Sequence, residues 1–222
     1  ISWHIMQRYA HYGYQDFFIA LGYKAEVIKN YFFSFSSKKI DTSSDLPSFQ
    51  LEISNFNGLK CRVTLVETGL DTMTGGRLKR MRPYIGEEIF MLTYGDGVAD
   101  IDMNLLVNYH KNHKKLVTVT AVHPAARFGE LDLEGDLVKS FKEKPQVNRG
   151  WINGGFFVCN SEFINFISDD TTILERDPLE KVSSKEQLMA FKHEGFWQCM
   201  DTKRDKDFLE ELWIKEKAPW KV

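Results

Sequence analysis

Residues 90–102 read FMLTYGDGVADID. Phe90, Met91 and Leu92 have the length and composition of a buried strand, and Gly95 and Gly97 flank Asp96 as residues that let a backbone turn sharply. In an open α/β sheet, ligands bind just beyond the carboxyl ends of the strands, so a carboxylate delivered there is a candidate metal or substrate group. The alternative is a strand-to-helix loop in which an Asp caps the next helix. Asp100 and Asp102, which follow within six residues, fit that capping role better than Asp96 does.

Upstream, residues 1–12 carry Ile1, Ile5 and Tyr9 on one helical face and stop at Gly13; residues 16–21 read as a buried strand and 25–33 as a helix. The Ser-rich segment 34–48 has the composition of a surface excursion. Strand patterns follow at 49–53 and 62–67, then a basic helix from about Gly76. Downstream, a helix over 102–113 precedes an alternating β-branched strand at 117–123. Residues 127–145 alternate like a hairpin turning at Glu134-Gly135-Asp136. A strand at 152–160, short helices at 161–168 and 179–184, a strand at 187–195 and an amphipathic helix at 203–217 complete the chain. In the last helix Phe208, Leu209, Leu212 and Trp213 are expected to face inward. Strands alternating with helices, with an antiparallel insertion late, predict an α/β layered fold with a mixed sheet and one domain over 1–222.

The 222 residues are 43% hydrophobic, enough for a sizeable core, and 29 Lys and Arg against 31 Asp and Glu leave a net charge of −2. Nothing in that balance calls for nucleic acid or an anionic membrane, so partners must be argued from sites. Apolar runs are far shorter than a bilayer span, and the expectation is a cytoplasmic protein. Cys61, Cys159 and Cys199 are odd in number, widely spaced and free of any C-x-x-C pair, which argues against disulfides and zinc. The chain opens on Ile1 in a segment already helical, which suggests that the sequence starts inside a larger protein.

Four further stretches carry chemistry. LDTMTGGRLKR at 70–80 places hydroxyls and two glycines at a helix start beside Arg77, Lys79 and Arg80, a combination suited to a nucleotide or to an ordinary capped helix. Glu143-Lys144-Pro145 sets an acceptor beside a donor at a strand end. Asn153-Gly154-Gly155 puts an amide and two glycines inside a strand, marking either close ligand approach or a bulge. FWQCMDT at 196–202 ends an aromatic run in Asp201, which on local grounds would cap the last helix.

In order, T-G-G-R, G-D-G, F-G-x-L with F-x-E-K-P, N-G-G-F-F and F-W-x-x-M-D-T resemble the sugar-nucleotide pyrophosphorylase family over the whole chain, most of all its cytidylyl branch. The resemblance implies a three-layer Rossmann-like, GT-A-like nucleotidyltransferase fold, with a mixed, mostly parallel sheet and a β-rich sugar-binding insertion. It implies a cytoplasmic homo-oligomer joining CTP and α-D-glucose 1-phosphate into CDP-glucose and pyrophosphate for cell-surface polysaccharide. Asp96 and Asp201 match its magnesium-binding aspartates, and Lys144 its sugar-phosphate lysine. Glu143, Gly129, Asn153 and Gly154 match sugar-pocket positions; Thr72, Thr74, Gly76 and Arg77 match the segment facing base and ribose. The family's first strand and G-x-G-T-R loop have no counterpart here, so the chain alone is expected to be inactive or weakly active. A sugar-nucleotide-binding pseudoenzyme and a metal-dependent glycosyltransferase are the alternatives.

Overall fold

The computed structural model describes residues 1–35, 39–42, 47–56, 59–124, 130–142 and 150–222, with backbone only at 39–42, 54–56, 59, 130–133 and 141–142. Helix α1 (Ser2–His11) runs into the strand β1 (Asp16–Leu21), and the chain reverses at Gly13, whose φ of +90° suits a residue without a Cβ. After α2 (Ala25–Phe33), strands β2 (Lys39–Thr42), β3 (Ser48–Phe56) and β4 (Leu59–Glu67) complete a four-stranded sheet in the order β1-β4-β3-β2. The segment read as an irregular excursion therefore contributes the strand β2, which pairs antiparallel with β3.

A short helix α3 (Thr74–Arg80) and the single turn α4 (Arg82–Ile85) lead to β5 (Phe90–Thr93), β6 (Gly97–Ala99), α5 (Met103–His113) and β7 (Val117–Val122). The hairpin β8 (Glu130–Glu134) and β9 (Leu137–Lys142) follows, and then the long strand β10 (Ile152–Cys159). A 3-10 turn at Ser161–Phe166, α6 (Asp177–Ser184), β11 (Leu188–His193), β12 (Trp197–Cys199) and α7 (Lys203–Ile214) complete the order. The second four-stranded sheet reads β11-β7-β10-β5, and β12 pairs with β6 in a two-stranded ladder.

The fold is α/β with mixed sheets, as the strand and helix rhythm implies. Among the described residues, parallel pairing is confined to β1 with β4 and β7 with β11, less than the mostly parallel arrangement expected. Part of the reason is local: only two residues separate β3 from β4 in sequence, and short connections join antiparallel neighbours. Central β10 is buried from Gly154 to Cys159 on both faces, as a strand covered on two sides must be. Burying a side chain such as Phe157 is worth roughly 1.5–3 kcal/mol.

Three apolar clusters hold the layers together. Helix α1 serves two of them: Ile5 and Tyr9 pack with β6, α5 and β10, while Met6 packs with β1, α2, β3 and β4. The third joins Leu78 of α3 to β7, β10 and α6. Helix α7 buries Leu209, whereas Phe208 and Trp213 are exposed at 42% and 39%, not turned inward as the pattern predicts. Of the four residues expected to face inward, Leu209 and Leu212 do so, packing with the first apolar cluster. Among the described residues, no helix is long and apolar enough to cross a membrane.

Behind the second sheet, His110 lies fully buried in a polar row. Lys115 N donates to His113 Nδ1 at 2.9 Å, so His113 carries its hydrogen on Nε2 and donates to Thr118 Oγ1 at 2.7 Å. Thr118 then donates to His110 Nδ1 at 2.8 Å, and His110 Nε2 donates to Asn160 Oδ1 at 3.0 Å. One tautomer assignment satisfies every member, which is what makes such a row tolerable inside a core.

Candidate active site

The ladder of β6 with β12 pairs Gly97 with Cys199, and one step beyond it Met200 N donates to Asp96 O at 2.8 Å. Asp96 and the residue after Met200, Asp201, thus sit at adjoining strand ends although 105 positions separate them. Neither is needed as a helix cap. Asp102 caps α5 by accepting from Leu105 N at 2.9 Å, and Thr202 caps α7 in a capping box with Asp205. Asp201 is therefore free of the capping role its position suggested. Asp100 is not a cap either; its carboxylate lies 2.9 Å from His193 Nε2.

Both Asp96 and Asp201 are exposed, and among the described residues no Lys or Arg pairs with either. Cys199 Sγ donates to Asp201 Oδ2 at 3.4 Å, and burial, then that carboxylate, pushes the thiol up to about 11. Two hard oxygen donors without a cationic partner fit magnesium, which takes one or two carboxylates and completes its shell with water and phosphate. Among the described residues, no group of three or more His, Cys, Asp or Glu side chains is placed to hold a metal ion.

The neighbouring wall is the β10 bulge. The ladder with β7 shifts register between Asn153 and Phe157, and Gly155 takes φ +77°. A Cβ at Gly154 would stand 2.8 Å from Val122, and one at Gly155 2.8 Å from the Tyr94 ring. The glycines are thus both a bulge and a place of close approach, here by the chain itself. Tyr94 N donates to Gly155 O at 2.9 Å, and Trp197 Nε1 donates to Gly154 O at 2.8 Å, fastening the bulge to the Asp96 loop and to β12. Asn153 accepts from Gly155 N through Oδ1 at 2.8 Å and donates from Nδ2 to the Tyr94 phenol at 3.1 Å. One N–H of its amide remains for a ligand. Burial, then the nearby Glu175 carboxylate, raises the Tyr94 phenol well above the ordinary tyrosine value.

The T-G-G-R segment is arranged differently from the expectation of a free helix start. Gly75 N and Gly76 N both donate to Thr172 O, at 2.9 and 3.3 Å, and Met73 N donates to Asp170 O at 2.8 Å. The amides that were to meet a nucleotide are occupied by the loop before α6. Arg77 Nη1 donates to Leu21 O, Thr68 Oγ1 and Gly69 O at 2.7–2.8 Å, and Nη2 reaches Leu70 O at 3.2 Å. Its fork clamps the end of β1 to the turn after β4. Thr72 is buried; Thr74 is exposed, accepting from Leu174 N and donating to Glu175 Oε2, both at 2.9 Å.

The fold therefore brings Asp96, Asp201, Asn153, Gly154 and Thr74 around one region, with Gly76 and Arg77 in the framework beneath it. Gly129, Glu143 and Lys144 lie outside the described residues. Tyr94, Glu175 and Trp197 join the site without having been singled out. The first and last sit within quoted motifs; Glu175 lies in a turn whose local pattern carries no signal.

A family model described as nucleotidyl transferase matches residues 4–210. The chain is 47% identical over its whole length to the glucose-1-phosphate cytidylyltransferase of Salmonella typhi, covering 87% of that protein. Among solved structures it resembles HddC from Yersinia pseudotuberculosis, with a TM-score of 0.67 and 21% identity over 95% of this chain and 84% of that one. It also resembles UDP-glucose pyrophosphorylase complexed with UDP-glucose, with a TM-score of 0.63 and 14% identity over 96% and 86% of the two chains. At such identities these two likenesses speak to the fold.

Proposed function

Because the chain belongs to the nucleotidyl transferase family, we propose that it is a glucose-1-phosphate cytidylyltransferase, forming CDP-glucose and pyrophosphate from CTP and α-D-glucose 1-phosphate. The observation that carries the site is the ladder of β6 with β12, which brings Asp96 and Asp201 to adjoining strand ends. The sugar phosphate oxygen attacks the α-phosphorus of CTP in line, a new P–O bond forms, and the bond to pyrophosphate breaks. No protein nucleophile is required, so the chain's task is to position two polyanions and offset their repulsion.

Asp96 and Asp201 would hold magnesium, which supplies the positive charge that the meeting phosphates need. Lys144 would hold the sugar phosphate as a charge-assisted donor and Glu143 would accept sugar hydroxyls. Asn153 offers its remaining N–H to the sugar, and Gly129 and Gly154 would belong to the sugar pocket. Thr72, Thr74, Gly76 and Arg77 form the base and ribose side. For Arg77 the clamp geometry supports an indirect part, shaping the segment beside the base.

The same reading places the protein in the cytoplasm, where its substrates are made and where Cys61, Cys159 and Cys199 stay reduced. It assigns the product to cell-surface polysaccharide synthesis, including lipopolysaccharide, and the active form to a homo-oligomer. The exposed apolar residues Tyr23, just before α2, and Val27 and Tyr31 on it support assembly, which light scattering reads directly. The deciding experiment is pyrophosphate release by the full-length gene product with CTP, glucose 1-phosphate and magnesium. Turnover that a chelator abolishes is expected; absence of CDP-glucose in the presence of all three would refute the reading.

A further inference from the structure

Glu175 sits in the turn before α6, and its two carboxylate oxygens take hydrogens from two distant parts of the chain. Oε2 accepts from the Thr74 hydroxyl at 2.9 Å, and Oε1 accepts from the Tyr94 phenol at 2.5 Å. The direction of every bond is set by its neighbours. Thr74 already accepts from Leu174 N, so its hydrogen is free to go to Glu175. Tyr94 already accepts from Asn153 Nδ2, so its hydrogen goes there too. Asn153 is held in one orientation by Gly155 N.

The run Gly155, Asn153, Tyr94, Glu175, Thr74 thus crosses from the proposed sugar wall to the proposed nucleotide segment, and it meets at one carboxylate. Glu175, Thr74 and Asn153 are all exposed, and among the described residues no cation pairs with Glu175. Hydrogen bonds from hydroxyls to an exposed carboxylate replace bonds that water would otherwise make, so their net contribution to folding is modest. An exposed clasp across two walls of one site is better explained by what lies between them.

We propose that Glu175 is a positioning residue for the transfer: by holding Thr74 and Tyr94 to one carboxylate, it fixes the spacing of the two walls and turns the remaining N–H of Asn153 toward the sugar. The proposal rests on the cytidylyltransferase reading. A loss of the clasp lets the walls part, and misplacement of about 1 Å is enough to lower an in-line reaction by ~100-fold.

The test is steady-state kinetics of the full-length gene product with CTP and glucose 1-phosphate, alongside thermal melts. Glu175→Ala should lower kcat/KM for both substrates by roughly 30- to 100-fold while leaving the melting temperature nearly unchanged. Glu175→Gln, which keeps one acceptor oxygen, should recover most of that loss. Tyr94→Phe should add little in the Glu175→Ala background, because the two act through one contact. Kinetics of Glu175→Ala within twofold of the starting enzyme, or losses that multiply in the double variant, would overturn the proposal. So would a lowered melting temperature with kcat/KM unchanged, the mark of a structural role. A starting enzyme that makes no CDP-glucose would instead remove the activity reading on which the proposal stands.

Discussion

Two short glycine-bearing stretches, Gly95-Asp96-Gly97 and Gly75-Gly76-Arg77, look interchangeable as written and are opposite as folded. At Gly95 a Cβ would meet nothing within 4 Å, and Asp96 stands exposed beyond it. At Gly76 a Cβ would stand 2.5 Å from the Asp170 backbone, and at Gly75 2.8 Å from Thr172 O. Gly95 opens a turn toward solvent, while Gly75 and Gly76 let a helix lie against a loop with no side chain between them. A glycine beside a charged residue therefore marks closeness to something, and only the fold decides whether that partner is a ligand or the chain.

The sharpest way to break this contrast is to remove the carboxylates from the open side. Asp96→Asn and Asp201→Asn should each lower CDP-glucose formation by about 1,000-fold, the scale of a lost electrostatic contact to the reacting phosphates, with unfolding transitions unchanged. Activity within tenfold of the starting enzyme in either variant would end the metal assignment. On the closed side, Gly76→Ala should cost about 3 kcal/mol in urea unfolding, because its methyl meets backbone that cannot yield. Gly95→Ala should change stability by less than ~0.5 kcal/mol, and equal effects at the two glycines would erase the distinction.

Arg77 sharpens the comparison. Arg77→Met removes donors to three carbonyls and the Thr68 hydroxyl, and should cost roughly 2–3 kcal/mol of stability. A direct role in reading the base would appear instead as a changed ratio of CTP to UTP turnover in a fully stable variant. The smallest expected effect concerns pH. His4 is lowered from 6.5 to about 4, mainly by burial, and burial also lowers His110 and His113. Between about 6.5 and 4 the unfolded chain binds protons that the folded chain refuses, so stability is full above that window and falls as pH drops through it. Melts at pH 7 and pH 5 should show a lower transition at pH 5, and His4→Gln should flatten the difference. A transition higher at pH 5 would reverse the sign.

Much of the scaffold is legible locally. Residues 16–21 and 25–33 form β1 and α2 with the expected bounds, although β1 is not the buried strand expected: its residues alternate between exposed and half-buried, and only Leu21 is buried. The acid pair was legible as two motif residues, but the ladder that joins them was not: three residues at 197–199 are too few to show a period. Glu175 escaped for a related reason. Its partners lie 101 and 81 positions away, and hydrogen bonds of that span leave no local trace. The glycines of 75–76 were legible as glycines, while their partners at 170–172 belong to another part of the chain.

The buried row from Lys115 to Asn160 has a consequence of its own. At one end stands a backbone amide and at the other a carboxamide, and neither gives up nor accepts a proton near neutral pH. Between them the hydrogens of His113, Thr118 and His110 all point the same way, set by the single amide at the start. The row orders hydrogens without conducting them. It is an insulator built from the very side chains that elsewhere make proton wires, and its one-way polarity ties the end of α5 to β7 and to the end of β10 while carrying no charge through the interior.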